Sequence, residues 1–334
     1  MSLPIAVTVG DAAGIGPEIV VKALGDPDAS GAAPSVVIGP ALVLELAAQR
    51  WAPGLRVRRI SEVGQYRAMA GAIDVLDVGS VPADLTPGCI DPRAGRAAYE
   101  AIEAAIRLAM SNRVAGICTA PIHKEALAAA GVPFAGHTEM LTELSGTSDT
   151  AMMLVNPHLR TMLVTVHCSL LEAVDQLSVA LELRIIRLAH RTLQDMGIPR
   201  PRVAVAGLNP HAGEGGLFGR EDIDVVAPAI AQARDEGIDA SGPHPGDTVF
   251  MRARRGRYDI VVAQYHDQGL IPVKLLGVED GVNVTAGLPF VRTSPDHGTA
   301  FDIAGQGIAD AGSLKTALQM AHRLAEQPRR AAAR

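Results

Sequence analysis

The sequence predicts a two-lobed α/β protein with mixed, largely parallel sheets. Short apolar runs rich in β-branched residues alternate with longer amphipathic stretches, the pattern of buried strands between covering helices. A chain of 334 residues exceeds a usual single domain, so two lobes are expected. Apolar residues make up 48% and charged residues 20%, the balance of a folded globular protein rather than a disordered one.

Taken in order, Ile5 to Val9 reads as a strand, followed by a glycine loop and a helix opening at Pro17, a favoured first-turn position. Ser35 to Ile38 and Ile73 to Val78 read as strands, Ala94 to Met110 as a long alanine-rich helix, and Ala115 to Thr119 as another strand. His123 to Ala130 and Thr138 to Leu144 look helical, with His137 or Thr138 placed to cap the second. Met152 to Val155 and Leu159 to Val166, separated by Asn156-Pro157-His158, predict an antiparallel hairpin. Val179 to Met196 is a helix stopped by Gly197. Strand Val203 to Ala206, helix Asp222 to Asp235, strand Tyr258 to Ala263 and helix Leu314 to Ala325 restore the alternation.

No apolar stretch approaches the roughly 18 residues of a membrane span. The amino terminus carries no basic segment or signal-peptide core, so a cytoplasmic protein is expected. Cys89, Cys118 and Cys168 are odd in number with no CxxC spacing, which fits a reducing compartment. Net charge is −6, and the basic residues at the end, Arg329, Arg330 and Arg334, read as a solvated terminus, so no nucleic-acid partner is expected.

Three histidines follow the three most strand-like runs: His167, His211 and His266. Ligands in open α/β sheets bind beyond the carboxyl ends of strands. Three neutral imidazoles there, with Asp267 and Glu214 close in sequence, are a ligand set for a divalent metal with one position open. Each alone could merely end a strand. Cys168 follows His167, but neighbours on a strand point to opposite faces, which argues against a shared role.

Gly10 to Glu18 sets a glycine loop between strand and helix, and it favours a phosphate or carboxylate nearby. It is not a Rossmann fingerprint, because GxGxxG is absent and no acidic residue ends a second strand about 20 residues on. Gly136-His137-Thr138-Glu139 opens a helix, and Lys274, Asn283 and Arg292 are polar groups in an otherwise apolar, glycine-rich segment. Arg292, beside Thr293 and Ser294, is placed to clamp a phosphate or carboxylate. Asp296 to Ala309 is a loop of small polar residues and glycines, suited to backbone lying close against a planar or phosphorylated ligand.

This last string resembles the adenosine-binding loop of the isocitrate and isopropylmalate dehydrogenases, which bind NAD without a Rossmann fingerprint. More specifically, Gly136-His-Thr-Glu, Leu208-Asn-Pro-His-Ala-Gly-Glu, Tyr265-His-Asp-Gln-Gly and the stretch from Gly287 to Ala300 together resemble the 4-hydroxythreonine-4-phosphate dehydrogenase family of vitamin B6 synthesis. The resemblance spans essentially the whole chain.

It implies a homodimer with the active site at the subunit interface and a divalent metal on His167, His211 and His266, zinc first, with cobalt, nickel or magnesium as alternatives. It implies substrate contacts at His137, Thr138, Lys274, Asn283 and Arg292, and NAD contacts at His297, Gly298, Thr299, Asp302 and Ile303. Asp302 could accept from the adenosine ribose hydroxyls and would repel a 2′-phosphate, favouring NAD over NADP. The implied first lobe is 1–125 with 270–334, and the implied second, dimer-forming lobe is 126–269. The general base is not assigned; a Lys or Asp near the metal is a candidate.

The implied reaction oxidises 4-phosphooxy-L-threonine at C3 and then releases CO2 to give 3-amino-2-oxopropyl phosphate. A close branch of the family oxidises 4-phospho-D-threonate or 4-phospho-D-erythronate in sugar-acid breakdown. His123, in Thr119-Ala-Pro-Ile-His-Lys, resembles the biosynthetic branch, whereas Gly216-Leu-Phe-Gly219 and Asp247-Thr-Val-Phe250 look at least as much like the catabolic one. A third branch, dihydrodiol dehydrogenases of aromatic dicarboxylates, lacks a substrate phosphate and fits the His137-Thr138 and Arg292 pattern less well. From another class, a metal-dependent hydrolase would need only the three histidines, and the Asp296 to Ala309 loop argues against it.

Overall fold

The computed structural model describes residues 3–26, 34–277 and 280–327. The arginines at 329, 330 and 334, read above as a solvated tail, lie outside the described residues. The chain divides into two compact units, Met1–Ser148 with Leu288–Glu326, and a second one containing Asp149–Gly287. The division thus falls at 148/149 and 287/288, where the sequence reading has 125/126 and 269/270.

In the first unit the strands are β1 (Ile5–Thr8), β2 (Ser35–Gly39), β3 (Arg56–Ile60), β4 (Ala72–Asp77), β5 (Gly116–Thr119) and β12 (Val291–Pro295). They form a wholly parallel array in the order β3-β4-β2-β1-β5-β12. The helices are α1 (Gly16–Gly25), α2 (Ala41–Trp51), α3 (Pro92–Met110), α4 (Lys124–Ala129), α5 (His137–Ser145) and α11 (Gly312–Ala325). Strands such as Ile5–Thr8 are buried at every position, as a parallel strand covered on both faces must be. Ile102 and Ile106 of α3 pack in a core with Val36, Ile38 and Ile117 of the sheet. Asp91 caps α3 by accepting from the Arg93 backbone N–H at 2.8 Å.

The returning C-terminal segment is stapled to α1. The Glu18 carboxylate, 1% exposed, accepts from the backbone nitrogens of Ala309 (2.8 Å) and Gly307 (3.2 Å). Lys22 closes the cluster, donating to Glu18 (2.7 Å) and to the carbonyls of Gly307 and Ala309. A buried carboxylate is stable only with such partners.

The second unit contains β6 (Ala151–Val155), β7 (Arg160–Leu163), β8 (Val203–Ala206), β9 (Ala240–His244), β10 (Ile260–Ala263) and β11 (Val282–Ala286), in the order β11-β6-β7-β10-β8-β9. β6 is antiparallel to both β11 and β7, so the expected hairpin is present and this sheet is mixed. The remaining pairs are parallel. Its helices are α6 (Leu170–Gln176), α7 (Val179–Asp195), α8 (Ala227–Asp235), α9 (Gly246–Arg254) and α10 (His266–Lys274).

Three local expectations are corrected. The strand read to Val166 stops at Leu163, and the backbone bends from Val164 onward. The helix read from Asp222 begins as a wide π turn, Asp222–Val226, before α8. Pro228 there has no N–H to continue an ordinary ladder. Thr138 does not cap α5: Gly136 is the cap residue, and no side chain bonds that helix end.

Beneath the strand ends of the second unit lies an acidic side chain with no sequence signal. Glu182 on α7 is fully buried, and burial together with the charge of Asp222 pushes its carboxyl up to about 8, against the opposing pull of the Gln264 amide. A carboxyl whose folded pKa lies above its unfolded value binds protons preferentially in the native state. Its contribution is therefore full below about 4.5 and is lost as pH rises to about 8. Denaturant midpoints measured from pH 5 to 9 are expected to fall across this window in the wild type and to fall less in Glu182→Gln. An unchanged slope in the variant would place the effect elsewhere.

Candidate active site

The three histidines of the second unit follow three neighbouring strands, since β10 pairs with β7 on one side and β8 on the other. Past the end of β7 the chain stays tied to β10, with Val164 N and Thr165 Oγ1 donating to the carbonyls of Ala263 (2.9 Å) and Gln264 (2.8 Å). These ties carry His167 and His266 forward together, and their ring centroids lie 6.0 Å apart. His266 opens α10, and its Nδ1 is 2.7 Å from the Asp267 carboxylate. A carboxylate only accepts, so Nδ1 donates in this pair, which in the neutral ring leaves the Nε2 lone pair to a ligand.

Both rings line an open cavity of about 540 Å³, with Val166, Cys168, Ser169, Leu170, Glu172, Tyr265 and Asp267. Cys168 shares this wall because the segment is bent, so strand alternation does not separate it from His167. Ser169 and Glu172 form a capping box that anchors the wall to α6. That motif, Ser-x-x-Glu, was a legible signal for a helix the sequence reading passed over.

His211 stands on a turn of unusual handedness. His211, Ala212, Gly213, Glu214 and Gly215 all have positive φ, from 42° to 79°. Non-glycine residues in this region cost about 1–2 kcal/mol each, so the turn must be held by its surroundings. Asp222 accepts from the backbone nitrogens of Leu208 (2.7 Å) and Asn209 (3.0 Å), and Asn209 donates to Glu221 (2.7 Å). Gln268 reaches across from α10 to the Gly207 carbonyl, and Gln264 to that of Ala206. Two of the three expected ligands converge, while the His211 ring lies 6.1 Å from that of Phe218. Among the described residues no three His, Cys, Asp or Glu side chains stand close enough to hold one ion. Lys274 is in the last turn of α10, and Asn283 on β11 has a buried Oδ1 with no partner among the described residues.

The first unit has a second polar group of its own, between the start of β12 and the end of β5. Arg292 on β12 is buried, donates to Thr119 Oγ1 (2.8 Å), and burial pulls its guanidinium down to about 10. Burial and the Arg292 charge hold His137 neutral, well below the usual histidine range, and its buried Nε2 has no partner among the described residues. A buried cation beside a neutral imidazole and a hydroxyl is chemistry for an oxyanion. Thr138, the next residue on α5, is exposed.

In the expected cofactor loop, Thr299 is buried and its carbonyl accepts from Ile15 N (3.0 Å), binding this loop to the Gly10–Gly16 turn. His297 Nδ1 contacts the Gly298 carbonyl, and its buried Nε2 has no partner among the described residues. Asp302 is exposed and Ile303 half-buried. No helix among the described residues is long and apolar enough to cross a membrane.

The chain is 56% identical to a 4-hydroxythreonine-4-phosphate dehydrogenase of Beijerinckia indica, over 96% of this chain and 95% of that one. It is 49% identical to a D-threonate 4-phosphate dehydrogenase of Cupriavidus necator, over 96% and 97%. A crystal structure of 4-hydroxythreonine-4-phosphate dehydrogenase from Klebsiella pneumoniae superposes with a TM-score of 0.92 at 49% identity, covering 98% of this chain and 99% of that one. These relatives are named as dehydrogenases, and the hydrolase reading finds no support among them. With residues 31–321 matching its family profile, the chain belongs to the pyridoxal phosphate biosynthetic protein PdxA family.

Proposed function

We propose that this protein oxidises 4-phosphooxy-L-threonine at C3 with NAD, then releases CO2 to give 3-amino-2-oxopropyl phosphate, in pyridoxal phosphate synthesis. The observation that carries the reading is the buried Arg292 guanidinium beside neutral His137 and the Thr119 hydroxyl, a place built for a substrate phosphate. The name of the 56% identical relative supports the choice of substrate. The second reading, 4-phospho-D-threonate or 4-phospho-D-erythronate as substrate, is favoured by the D-threonate 4-phosphate dehydrogenases at 49% and 48% identity.

In this proposal Arg292 and His137 hold the phosphate, with Thr138, Lys274 and Asn283 as further substrate contacts. His167, His211 and His266 would hold the divalent ion, zinc first. The donor set fits such an ion in chemistry. His167 and His266 lie near the ~5 Å ring separation of two imidazoles on one tetrahedral ion with N–metal bonds near 2.1 Å. When bound, the ion supplies Lewis-acid polarisation and the dinucleotide a hydride acceptor. The cofactor contacts are His297, Gly298, Thr299, Asp302 and Ile303. His297 offers a buried, unpartnered Nε2 among the described residues, and Thr299 holds the loop in place. After oxidation the C3 ketone lies β to the carboxylate, so it accepts the electron pair as the carboxyl carbon leaves as CO2.

A cytoplasmic homodimer belongs to the same proposal. Leu170 and Leu171 of α6, Ile271 of α10 and Leu275 just after it are exposed apolar residues on segments flanking the histidine cavity; Leu171 is 73% and Leu275 83% exposed. Apolar surface of this kind marks a contact face.

NAD reduction by metal-reconstituted protein is expected to show at least a tenfold higher kcat/KM on 4-phosphooxy-L-threonine than on 4-phospho-D-threonate or 4-phospho-D-erythronate. The reverse preference would move the protein to the second reading. Arg292→Met is expected to lower kcat/KM by roughly 100-fold, mainly through KM, because a charge-assisted contact to phosphate is lost. The double variant Leu171→Glu, Leu275→Glu is expected to sediment as a monomer without activity; a fully active dimer would rule out this face.

A further inference from the structure

One cluster of the first unit is used by neither the phosphate group nor the metal histidines. Gly10, at φ 73°, begins the turn after β1; a Cβ there would lie 2.3 Å from the Pro121 carbonyl oxygen, so only glycine lets the two loops meet. Asp11 N donates to that same carbonyl at 2.9 Å. The Asp11 side chain is 1% exposed, and its Oδ1 accepts from Ala13 N at 2.8 Å. Its Oδ2 is buried and has no partner among the described residues. Two residues beyond Pro121, His123 precedes α4, and its Nδ1 is likewise buried and unpartnered among the described residues. Asp11 and His123 attract each other electrostatically. The His123 ring stacks on Phe301 at 4.4 Å and 17°. Phe301 lies in the loop bound through Thr299 to Ile15, and its neighbour Gly88 donates to the Ala13 carbonyl.

An orphaned acceptor, an orphaned imidazole nitrogen and an aromatic wall thus occur together at one sheet end. A buried polar group without a hydrogen bond is costly, so such groups are retained where a ligand completes them. A ligand that completes both groups donates to Oδ2 and, with the imidazole in its Nδ1–H tautomer, accepts from that nitrogen. An oxyanion would meet the Asp11 carboxylate, and an ammonium group would leave Nδ1–H unmatched. A primary carboxamide offers both functions, and a flat ring bearing it suits the His123–Phe301 wall.

We propose that Asp11 Oδ2 and His123 Nδ1 together bind the carboxamide of the nicotinamide ring, against the wall made by His123 and Phe301. This rests on the NAD reading above. Burial raises the Asp11 pKa above the usual carboxylate range, and a cationic oxidised ring alongside favours its ionised form.

The test is calorimetric titration of the metal-loaded protein with NAD, with ADP-ribose, which lacks the ring, and with the 3-acetylpyridine analogue, in which methyl replaces the amide nitrogen. Asp11→Asn keeps the oxygen that caps Ala13 but turns a donor toward the carboxamide nitrogen. His123→Phe keeps the stack and removes Nδ1. Each is expected to weaken NAD at least tenfold while changing ADP-ribose less than twofold. In Asp11→Asn the wild-type preference for NAD over the acetylpyridine analogue should shrink at least fivefold. Variants that bind NAD as tightly as wild type overturn the inference while leaving the cofactor reading intact. Parallel loss of NAD and ADP-ribose also overturns it, since that would place the pair on a ribose hydroxyl or in the loop's support. A wild-type protein that binds neither ligand overturns the cofactor reading, and this inference with it.

Discussion

The Glu18 carboxylate ties the two ends of the first unit together, and the placement of the loop from Asp296 to Ala309 depends on it. Its oxygens accept from Gly307 and Ala309, residues nearly the full chain length away, while Lys22 binds the carbonyls of the same two residues. The backbone donors and acceptors of Gly307 and Ala309, in a stretch that belongs to no helix or strand, are thereby satisfied. The same return inserts β12 beside β5, and so brings Arg292 within reach of Thr119.

The second unit solves a comparable problem with a different device. Its expected ligands sit beyond three adjacent strands, and side-chain amides bridge those ends: Gln264 to Ala206, and Gln268 to Gly207 and to the Gln264 backbone. The left-handed turn at His211 is tolerable only because Asp222 grips the two residues before Pro210. Strain stored in this way is concentrated at functional positions in proteins generally. The buried Glu182 below it fits the same pattern, a polar group kept in the interior beside the groups that shape the site.

Much of the α/β alternation was legible because buried parallel strands write themselves as apolar runs. Ile260–Ala263 and Val203–Ala206 have no polar residue to obscure them. The strands β11 and β12 were missed for the opposite reason: Asn283 and Arg292 interrupt their apolar pattern. Helix α10 was hidden by Gly269 and Pro272. Cys168 was set apart from His167 by an alternation rule that fails once β7 ends three residues earlier than read. The histidines, Arg292 and the loop after Asp296 stand out in the sequence as candidates. Asp11 and Glu182 do not, because a lone carboxylate in a sequence is solvated by default, and only tertiary packing reveals that it is buried.

The discontinuity of the first unit sets an order on how the chain can acquire its shape during synthesis. Residues 149–287 form a contiguous compact unit that can settle as soon as it has emerged from the ribosome. The first unit cannot: until β12 arrives, β5 stays an open sheet edge, and Glu18 stands without the nitrogens that neutralise its burial. The nascent amino-terminal half therefore waits through the translation of the whole second unit with an unpaired parallel edge. Protection of that edge, rather than final stability, is the demand this topology places on a growing polypeptide.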